Sequence, residues 1–426
     1  VAAGTLPKAE LDALVRPLLT ALFQFDLIAA PHPLRPDAEV STAADQAVAL
    51  RTDNEGAVLL KNNGLLPLAI PGAGSFALIG SNGGTPMPAG YGAMRVRSSD
   101  MTTALEALQA AGARVSYTNG AVVSVAVRLA RAASVAIVVL HDVESEGRDR
   151  QSLALSPDQD ALVRAVAAAN PHTVVVLETG APVYMPWLSS VAGVLETWYP
   201  GQAAGTSLVQ LLSGQVDPSG KLPVSWPAPG DARPDATLTE FGGGGGPTQY
   251  DEGLNVGYRW YEVTGAKPQF PFGYGLSYTS FQYSGLHISS GPRGGFTVSA
   301  TVTNTGRRSG AEVAQCYIGF PGSSGEPPRQ LRGFQRVVLD PGKKAPVRFA
   351  ITRGDLATWD GAAGTVGTWS VAAGHYDVYV GHSSDLGGLP LHGAITAAAS
   401  QLGPAGGPGP VASAPAGPSS SAHHGA

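Results

Sequence analysis

The chain has 426 residues, 43% of them hydrophobic and 14% charged, and a formal net charge of −5 at pH 7. This length allows two or three domains with substantial cores. The mild charge and the lack of a basic run argue against nucleic-acid binding, and no apolar stretch approaches the roughly 20 residues that span a bilayer. Cys316 is the only cysteine, so no intrachain disulfide is possible, and its alternating neighbours predict a packed strand residue.

The chain opens with two predicted helices and a proline-rich stretch between them. Residues 8–26 carry leucines at helical spacing, and Pro17 within them predicts a kink or an interruption. Residues 32–42 indicate a linker. Residues 43–60 predict a second helix, which runs into the turn signal Lys61-Asn62-Asn63-Gly64.

From this turn to Pro227, strand-like and helix-like segments alternate. Short apolar runs predict strands at 76–80, 114–117, 135–140, 173–178 and 191–198. Helical patterns occur at 101–111, 122–133, 156–169 and 203–212. Such alternation predicts an α/β sandwich domain over residues 43–227, doubly wound around a mainly parallel sheet.

The character of the sequence changes after a predicted linker at residues 228–267, which contains the glycine run Gly242–Gly246. Residues 268–396 contain several short runs of period two, separated by turn signals, and predict an all-β sandwich. Residues 397–426 are rich in Pro, Gly, Ser and Ala and are predicted to be disordered.

The segment Ser134–Arg150 carries the strongest chemical signal. Its apolar run Val135–Leu140 predicts a strand buried on both faces of a parallel sheet. Acidic and basic side chains follow at once: Asp142, Glu144, Glu146, Arg148, Asp149 and Arg150. Because ligands gather beyond the carboxyl ends of parallel strands, we expect acid/base chemistry here. The alternative is a solvated acidic loop. For Asp149 and Arg150 themselves we expect a structural ion pair that braces the loop.

Two further regions are candidates for contact with a ligand. Gly80–Gly84 follows a strand but is not a GxGxxG motif, so it predicts a substrate-lining loop that continues through Tyr91 and Arg95 rather than a nucleotide site. The segments Tyr250–Tyr261 and Phe270–Tyr278 are dense in aromatic side chains, which suit either sugar rings or an interdomain seam.

Taken together and in order, these motifs resemble glycoside hydrolase family 3, the β-glucosidase and β-xylosidase family. The resemblance covers nearly all of residues 1–396. It is carried by the segments Glu55–Asn62 with Leu66–Leu68, Glu144–Arg150, Pro200–Gln202 with Gly205, Pro218–Pro227, Tyr250–Tyr261 and Phe270–Thr279.

The resemblance implies a three-part architecture and a place for this chain within it. Family members usually begin with a (β/α)8-type barrel, continue into an α/β sandwich and often end in a fibronectin-III-like domain. Residues 1–31 then look like the closing helix of a barrel that is otherwise missing, residues 43–227 like the sandwich, and residues 268–396 like the fibronectin-III-like domain.

The resemblance also implies a mechanism, a retaining double displacement on β-linked sugars. A barrel Asp attacks the anomeric carbon, and a Glu of the sandwich acts as acid/base. By motif position that Glu is Glu146, with Glu144 as the fallback. Tyr91, Arg95 and Arg148 are the expected substrate contacts. Many relatives have an aromatic residue where this loop has Arg148, which we expect to point away from the acid/base.

The chain departs from the family in the nucleophile, because none of Asp26, Asp37, Asp45 and Asp53 lies in a nucleophile motif. The expected function is therefore a retaining exo-β-glycosidase, β-glucosidase-like, that takes a β-glycoside or oligosaccharide. It would act together with a barrel domain from a separate or cleaved polypeptide. No metal or organic cofactor is implied, and a secreted or periplasmic location is expected, with a cytoplasmic one left open. The alternative is a non-catalytic carbohydrate-binding or interaction module.

Overall fold

The computed structural model of the chain describes residues 7–28, 41–72, 74–86, 92, 98, 100–147, 150, 152–230, 249–361, 366–409 and 411–413. The chain divides into two units, Val1–Asp45 and Gln46–Ala426. The first contains helix α1 (Lys8–Gln24), which continues through Pro17, so the predicted interruption is not found. The predicted linker 32–42 lies largely outside the described residues. No helix in the described ranges is long and apolar enough to cross a membrane.

The second unit opens with a doubly wound α/β domain, as predicted. Its six-stranded sheet has the order β1-β6-β5-β4-β2-β3, in which β1 is antiparallel to β6 and the other neighbours are parallel. The strands are β1 (Val58–Asn62), β2 (Ser75–Ile79), β3 (Arg114–Thr118), β4 (Val135–His141), β5 (Thr173–Glu178) and β6 (Gly193–Glu196). The helices are α2 (Ala43–Gly56), α3 (Ser81–Gly84), α4 (Ala104–Ala110), α5 (Val123–Ala132), α6 (Pro157–Ala169) and α7 (Ala204–Ser213).

The central strands β4 and β5 are buried on both faces, as their uninterrupted apolar runs predict. On one face Val138 belongs to a core that includes Val166 of α6. On the other face Ile137 belongs to a core that includes Leu208 of α7. Burial of each such side chain contributes about 1.5–3 kcal/mol. With both faces covered, polar side chains can gather only at the ends of these strands.

Local signals set several helix ends. Thr103 and Glu106 form a capping box at α4, because Thr103 Oγ1 accepts from the Glu106 amide at 3.1 Å and Glu106 Oε2 accepts from the Thr103 amide at 2.9 Å. At α6 the Gln159 side chain instead binds both backbone groups of His141, at 2.9 Å each, and so fastens the end of β4 to the helix.

The predicted helix 43–60 is too long. Helix α2 ends at Gly56, and the apolar residues that follow form β1, which pairs with β6 at the edge of the sheet. The helical pattern continues past Gly56 only because a short buried strand and a buried helix face share the same apolar composition.

An all-β sandwich follows, which confirms the second predicted fold class. Its sheets have the orders β15-β14-β9-β10-β17, β11-β8-β7 and β12-β13-β16. Val298, Cys316 and Tyr376 lie in its core, so Cys316 is the packed strand residue that was predicted. The strands are β7 (Phe281–Ser290), β8 (Phe296–Asn304), β9 (Gly310–Gly319), β10 (Arg329–Leu339), β11 (Lys344–Ile351), β12 (Ala357–Asp360), β13 (Thr368–Val371), β14 (Gly374–Gly381), β15 (Leu391–Ala397), β16 (Ser400–Gly403) and β17 (Ala412–Ser413).

The structure corrects two parts of the predicted domain scheme. The linker 228–267 contains helix α8 (Tyr258–Thr264). The tail 397–426, predicted to be disordered, contains β16, which pairs with β13, and β17, which pairs with β10. These short elements have no strong periodicity of their own. Their order comes from partners far away in the sequence, so composition alone misses them.

Candidate active site

The candidate site lies at the edge of the sheet where the parallel strands β2, β4 and β5 end. The loop after β4, residues 142–150, contains the acidic cluster and is called here the acid loop. Each neighbouring strand also ends near a polar side chain: Asn82 lies beyond β2 and Glu178 is the last residue of β5. The sheet therefore brings together residues that are about a hundred positions apart in the sequence, as expected for an α/β sheet.

Arg150 joins two carboxylates of the acid loop. Its Nη1 donates to Asp142 Oδ2 and to Glu144 Oε1 at 3.0 Å each, and to the carbonyl oxygen of Pro182 at 3.4 Å. Asp142 is buried, and the Arg150 and Glu144 side chains are 17% and 23% exposed. Arg150 thus braces the loop through Asp142 and Glu144. The predicted pair of Arg150 with Asp149 stays a prediction, because Asp149 lies outside the described residues.

Asp142 also ties the acid loop to the loops after β5 and β6. Its Oδ1 accepts from the Tyr199 hydroxyl at 2.6 Å and from the Gly180 amide at 3.2 Å. Burial, together with this bond to Asp142, raises the pKa of the Tyr199 phenol, so it remains a hydrogen-bond donor. Sequence reasoning missed Tyr199, whose only signal was its position directly after a strand.

Glu144 is turned into this cluster. A Cβ atom on Gly180 would lie only 2.6 Å from Glu144 Oε2, so the carboxylate packs against the Gly180 backbone and a side chain there would displace it. Burial and the nearby Asp142 charge raise the pKa of Glu144, while Arg150 lowers it. Glu144 therefore forms a structural ion pair with Arg150.

Glu146 has different surroundings from Glu144. It lies in the turn that Gly147 closes with a φ of +75°, and its side chain is exposed. A Cβ on Gly92 would lie 2.7 Å from Glu146 Cβ and 3.0 Å from its Oε2, so Gly92 lies directly beside this residue. The spacing of two had left open whether both glutamates face one side. The structure separates them.

A second group of carboxyls lies beneath the acid loop. Glu178 accepts from Asn82 Nδ2 at 2.7 Å, and burial raises its pKa to about 7. Glu196, at the end of β6, accepts from Thr179 Oγ1 at 2.9 Å and from the Trp198 amide at 2.6 Å. Burial raises the pKa of Glu196 well above its usual value. Sequence reasoning missed both; the signal was an acidic residue ending each apolar strand.

Three expected substrate contacts, Tyr91, Arg95 and Arg148, lie outside the described residues, and their assignment stays a prediction.

The two aromatic segments of the sequence, in contrast, lie within the described residues. Tyr258 stacks on Phe272 at a centroid distance of 5.0 Å and meets the edge of Tyr317 of β9 at 5.9 Å. These rings pack helix α8 and the segment after it against the all-β sandwich, which fits the second of the two predicted roles, an interdomain seam.

A doubly wound domain with an acid loop after its central strand, followed by an all-β sandwich, defines a class of glycoside hydrolase C-terminal regions. A sequence profile of the Glycosyl hydrolase family 3 C-terminal domain matches residues 57–278, and a profile of the Fibronectin type III-like domain matches residues 312–384. The first match covers more than half of the chain. The chain belongs to glycoside hydrolase family 3, in which catalysis proceeds with retention of configuration.

The matches to named relatives cover most of this chain but only part of each relative. The chain is 32% identical to thermostable beta-glucosidase B of Acetivibrio thermocellus over 405 residues, which are 90% of this chain and 52% of that protein. It is 33% identical to an exo-alpha-(1->6)-L-arabinopyranosidase of Bifidobacterium longum, covering 89% and 52%. The structure of DesR, a beta-glucosidase from Streptomyces venezuelae in complex with D-glucose, superposes with a TM-score of 0.86 at 30% identity, covering 93% of this chain and 65% of DesR. The chain spans about half the length of the curated relatives it matches.

Proposed function

We propose that this chain supplies the acid/base half of a retaining exo-β-glycosidase, with Glu146 as the acid/base. The observation that supports it best is the difference between the surroundings of Glu144 and Glu146 in the acid loop. Glu144 is held by Arg150 against Gly180, whereas Glu146 is exposed on the adjoining turn. A general acid must reach a substrate oxygen, which an exposed turn at the carboxyl edge of the sheet permits.

In the proposed reaction Glu146 gives its proton to the glycosidic oxygen as the bond between that oxygen and the anomeric carbon breaks. An Asp carboxylate on the part that relatives have before this region attacks the anomeric carbon and forms a glycosyl ester. Glu146, now a carboxylate, removes a proton from water, which attacks the same carbon and releases the sugar. The two carboxyls of such a pair stand about 5 Å apart. The chain then needs a partner surface over the acid loop.

The Arg150 cluster supports this role by fixing the two ends of the acid loop. Arg150 binds Asp142 near the beginning of the loop, and Asp142 is tied to Gly180 and Tyr199. Placement of a catalytic group within fractions of an ångström requires such support from neighbouring side chains. The named relatives act on glucosides and arabinopyranosides, and we propose a β-glucoside as the first substrate to test.

The test joins this chain to the N-terminal half of thermostable beta-glucosidase B and compares the hybrid with the chain alone. We expect the hybrid to hydrolyse aryl β-glucosides with retention, as followed by NMR of the released anomer, and the chain alone to show no turnover. Full retaining turnover by the isolated chain would refute the proposed division of the site. A hybrid that folds and binds glucose without turnover would favour the non-catalytic carbohydrate-binding module.

Within an active hybrid, two matched variants separate the two glutamates. Glu146→Gln should lower kcat/KM about 100-fold or more on poor leaving groups, and much less on activated nitrophenyl glycosides, because these need little protonation. Glu144→Gln keeps an acceptor for Arg150, so its kcat/KM should fall about equally for both kinds of substrate. The opposite result, with leaving-group dependence in Glu144→Gln, would move the acid/base role to Glu144.

A further inference from the structure

A pocket of mainly apolar side chains lies beside the acid loop, between the α/β domain and the start of helix α8. It has a volume of about 570 Å³, which is within the range of small-ligand sites. It is called here the α8 pocket, and the residues that carry the argument are Leu153, Pro182, Val224, Val256 and Tyr258. None of these five has a part in the proposed acid/base chemistry.

The α8 pocket shares a wall with the acid loop. The Nη1 atom of Arg150 that binds Glu144 Oε1 at 3.0 Å also donates to the carbonyl oxygen of Pro182 at 3.4 Å. Leu153 lines the pocket only three positions after Arg150, and its carbonyl oxygen accepts from the Tyr184 amide at 2.9 Å. One guanidinium group therefore contacts both the acid loop and the backbone of the pocket wall.

The walls of the α8 pocket are fixed by bonds to the rest of the fold. Trp226, whose sequence neighbours line the pocket, is buried and donates through Nε1 to the carbonyl oxygen of Val183 at 2.5 Å. The hydroxyl of Tyr258 accepts from the Leu331 amide at 2.9 Å, and Phe272 stacks on the Tyr258 ring. The pocket is thus preformed, so a ligand can enter it without first ordering its walls.

The α8 pocket presents apolar surface to solvent. Val224 and Val256, which both line it, are 40% and 45% exposed. An uncharged ligand that covered these side chains would take apolar surface out of water, which is the main driving force for such binding. Rings make up much of the remaining lining: Pro223, Pro227, Tyr258, Trp260, Tyr261 and Phe272.

The polar groups of the lining do not suit a second sugar unit. Arg259 Nη1 donates to the carbonyl oxygen of Leu254 at 3.4 Å, and its guanidinium lies 5.8 Å from the centroid of the Tyr258 ring. The Ser225 hydroxyl oxygen is buried, and the Tyr258 hydroxyl is bonded to backbone. Every hydroxyl of a sugar needs partners of its own, whereas a flat apolar group suits walls of proline and aromatic rings.

The position of the α8 pocket fits the leaving group of the proposed reaction. The acid/base gives its proton to the glycosidic oxygen, so the group beyond that oxygen must lie on the side of the acid loop. The pocket adjoins this loop through Arg150 and Leu153. A leaving group that extends away from the reacting bond can therefore continue into it.

We propose that the α8 pocket binds an apolar aglycone, so that the preferred substrates are β-glycosides of aromatic alcohols rather than short oligosaccharides. The proposal rests on the proposed function, because a leaving group exists only where a glycoside is cleaved. Binding of the free aglycone needs no turnover, so it can be tested on the chain alone.

The first test titrates the full chain with 2-naphthylmethanol, followed by ligand-observed NMR. We expect saturable binding with a dissociation constant of about 1 mM or below. Val256→Trp fills the pocket and should weaken binding about tenfold or more; Val224→Trp should do the same and covers the case in which the first variant fails to fold. Val263→Trp is the matched control, because Val263 is 51% exposed on α8 and does not line the pocket. It should leave binding unchanged.

The second test uses the hybrid of this chain with the N-terminal half of thermostable beta-glucosidase B. It compares kcat/KM for 2-naphthylmethyl β-D-glucoside, methyl β-D-glucoside and cellobiose. The leaving groups of the first two are both primary alcohols, so they need similar protonation and differ mainly in apolar surface. We expect the naphthylmethyl glucoside to be preferred about tenfold or more over each of the others. Val256→Trp should reduce this preference about tenfold, and Val263→Trp should preserve it.

The proposal is overturned if the folded chain does not bind 2-naphthylmethanol, if an active hybrid prefers cellobiose, or if Val256→Trp leaves the preference intact. An equal loss of turnover on all three substrates in Val256→Trp would also overturn it, because the N-terminal half would then cover the pocket. A hybrid without any turnover, joined to a chain that binds 2-naphthylmethanol and loses it in Val256→Trp, would support the pocket and count against the proposed function alone.

Discussion

Glu178 is a residue at which the fold forces a carboxyl into a fully buried strand end. Its pKa is raised from 4.5 to about 7 by burial, only partly opposed by the hydrogen bond from Asn82. A raised carboxyl pKa means that the folded state binds the proton more tightly than the unfolded chain does. The contribution to stability is therefore complete below about pH 4.5 and is lost as the pH rises through about 7.

The matched change is Glu178→Gln, which stays neutral and can still accept from Asn82. Between pH 5 and pH 8 the free energy of unfolding of the unaltered chain should fall by about 2 kcal/mol more than that of the variant. Urea denaturation at the two pH values measures both. The exposed Asp340→Asn variant should follow the unaltered chain, and equal pH dependence in Glu178→Gln and the unaltered chain would contradict the assignment.

Residue types in the acid loop could be predicted, but their orientation could not. The sequence predicted a carboxylate cluster after the central strand and named Glu146 and Glu144 in that order. What separates the two is the contact of Glu144 with Gly180 and Arg150, and Gly180 comes from a different strand end. No local pattern encodes that contact. For the same reason Glu178 and Glu196 went unnoticed, because an acidic residue at a strand end is usually solvated.

At the scale of elements, helices α4 and α7 approach so closely that one position requires glycine. A Cβ on Gly205 of α7 would lie 2.2 Å from the carbonyl oxygen of Thr103, and the Gly205 amide already donates to Thr102 O at 2.9 Å. Thr103 is also the cap of α4. Any side chain at 205 would therefore push α7 away from the helix start that it covers.

We expect Gly205→Ala to lower the free energy of unfolding by about 2 kcal/mol, since the obstacle is backbone and cannot rotate away. Chemical denaturation of the chain measures the change. The control is Gly322→Ala, where an added Cβ meets nothing within 4 Å and the backbone tolerates any residue. Its effect should remain within about 0.5 kcal/mol. Equal effects at the two sites would show that α4 and α7 have room to separate.

Long elements with strong patterns were predictable, and short ones were not. The apolar runs of β4 and β5 and the alternation of β8 reflect burial that a single segment can encode. The residues of strand β1 predict the end of a helix, because the partner that makes them a strand, β6, is more than a hundred residues away. Strands β16 and β17 depend in the same way on edges supplied by β13 and β10.

At the scale of the whole second unit, a polar network joins the α/β domain to the all-β sandwich. Lys221 of the α/β domain donates to Glu312 Oε2 of β9 at 3.2 Å and to Gly275 O at 2.8 Å, and both charged side chains are nearly buried. Glu312 also accepts from Tyr283 at 2.9 Å. The seam therefore contains a satisfied polar network as well as stacked rings, and neither domain can leave without exposing it.

We expect the two domains to unfold in a single calorimetric transition, and Lys221→Met to lower the free energy of unfolding by about 3 kcal/mol, because Glu312 is left buried without its cation. Adding Glu312→Gln to Lys221→Met should restore part of the loss, since the uncompensated charge is then gone. Lys343→Met, at an exposed turn, is the matched control and should change little. Two separate transitions in the unaltered chain, or a double variant whose loss equals the sum of the single losses, would mean that the seam does not couple the domains. The polar network would then be two independent sets of contacts that happen to lie side by side.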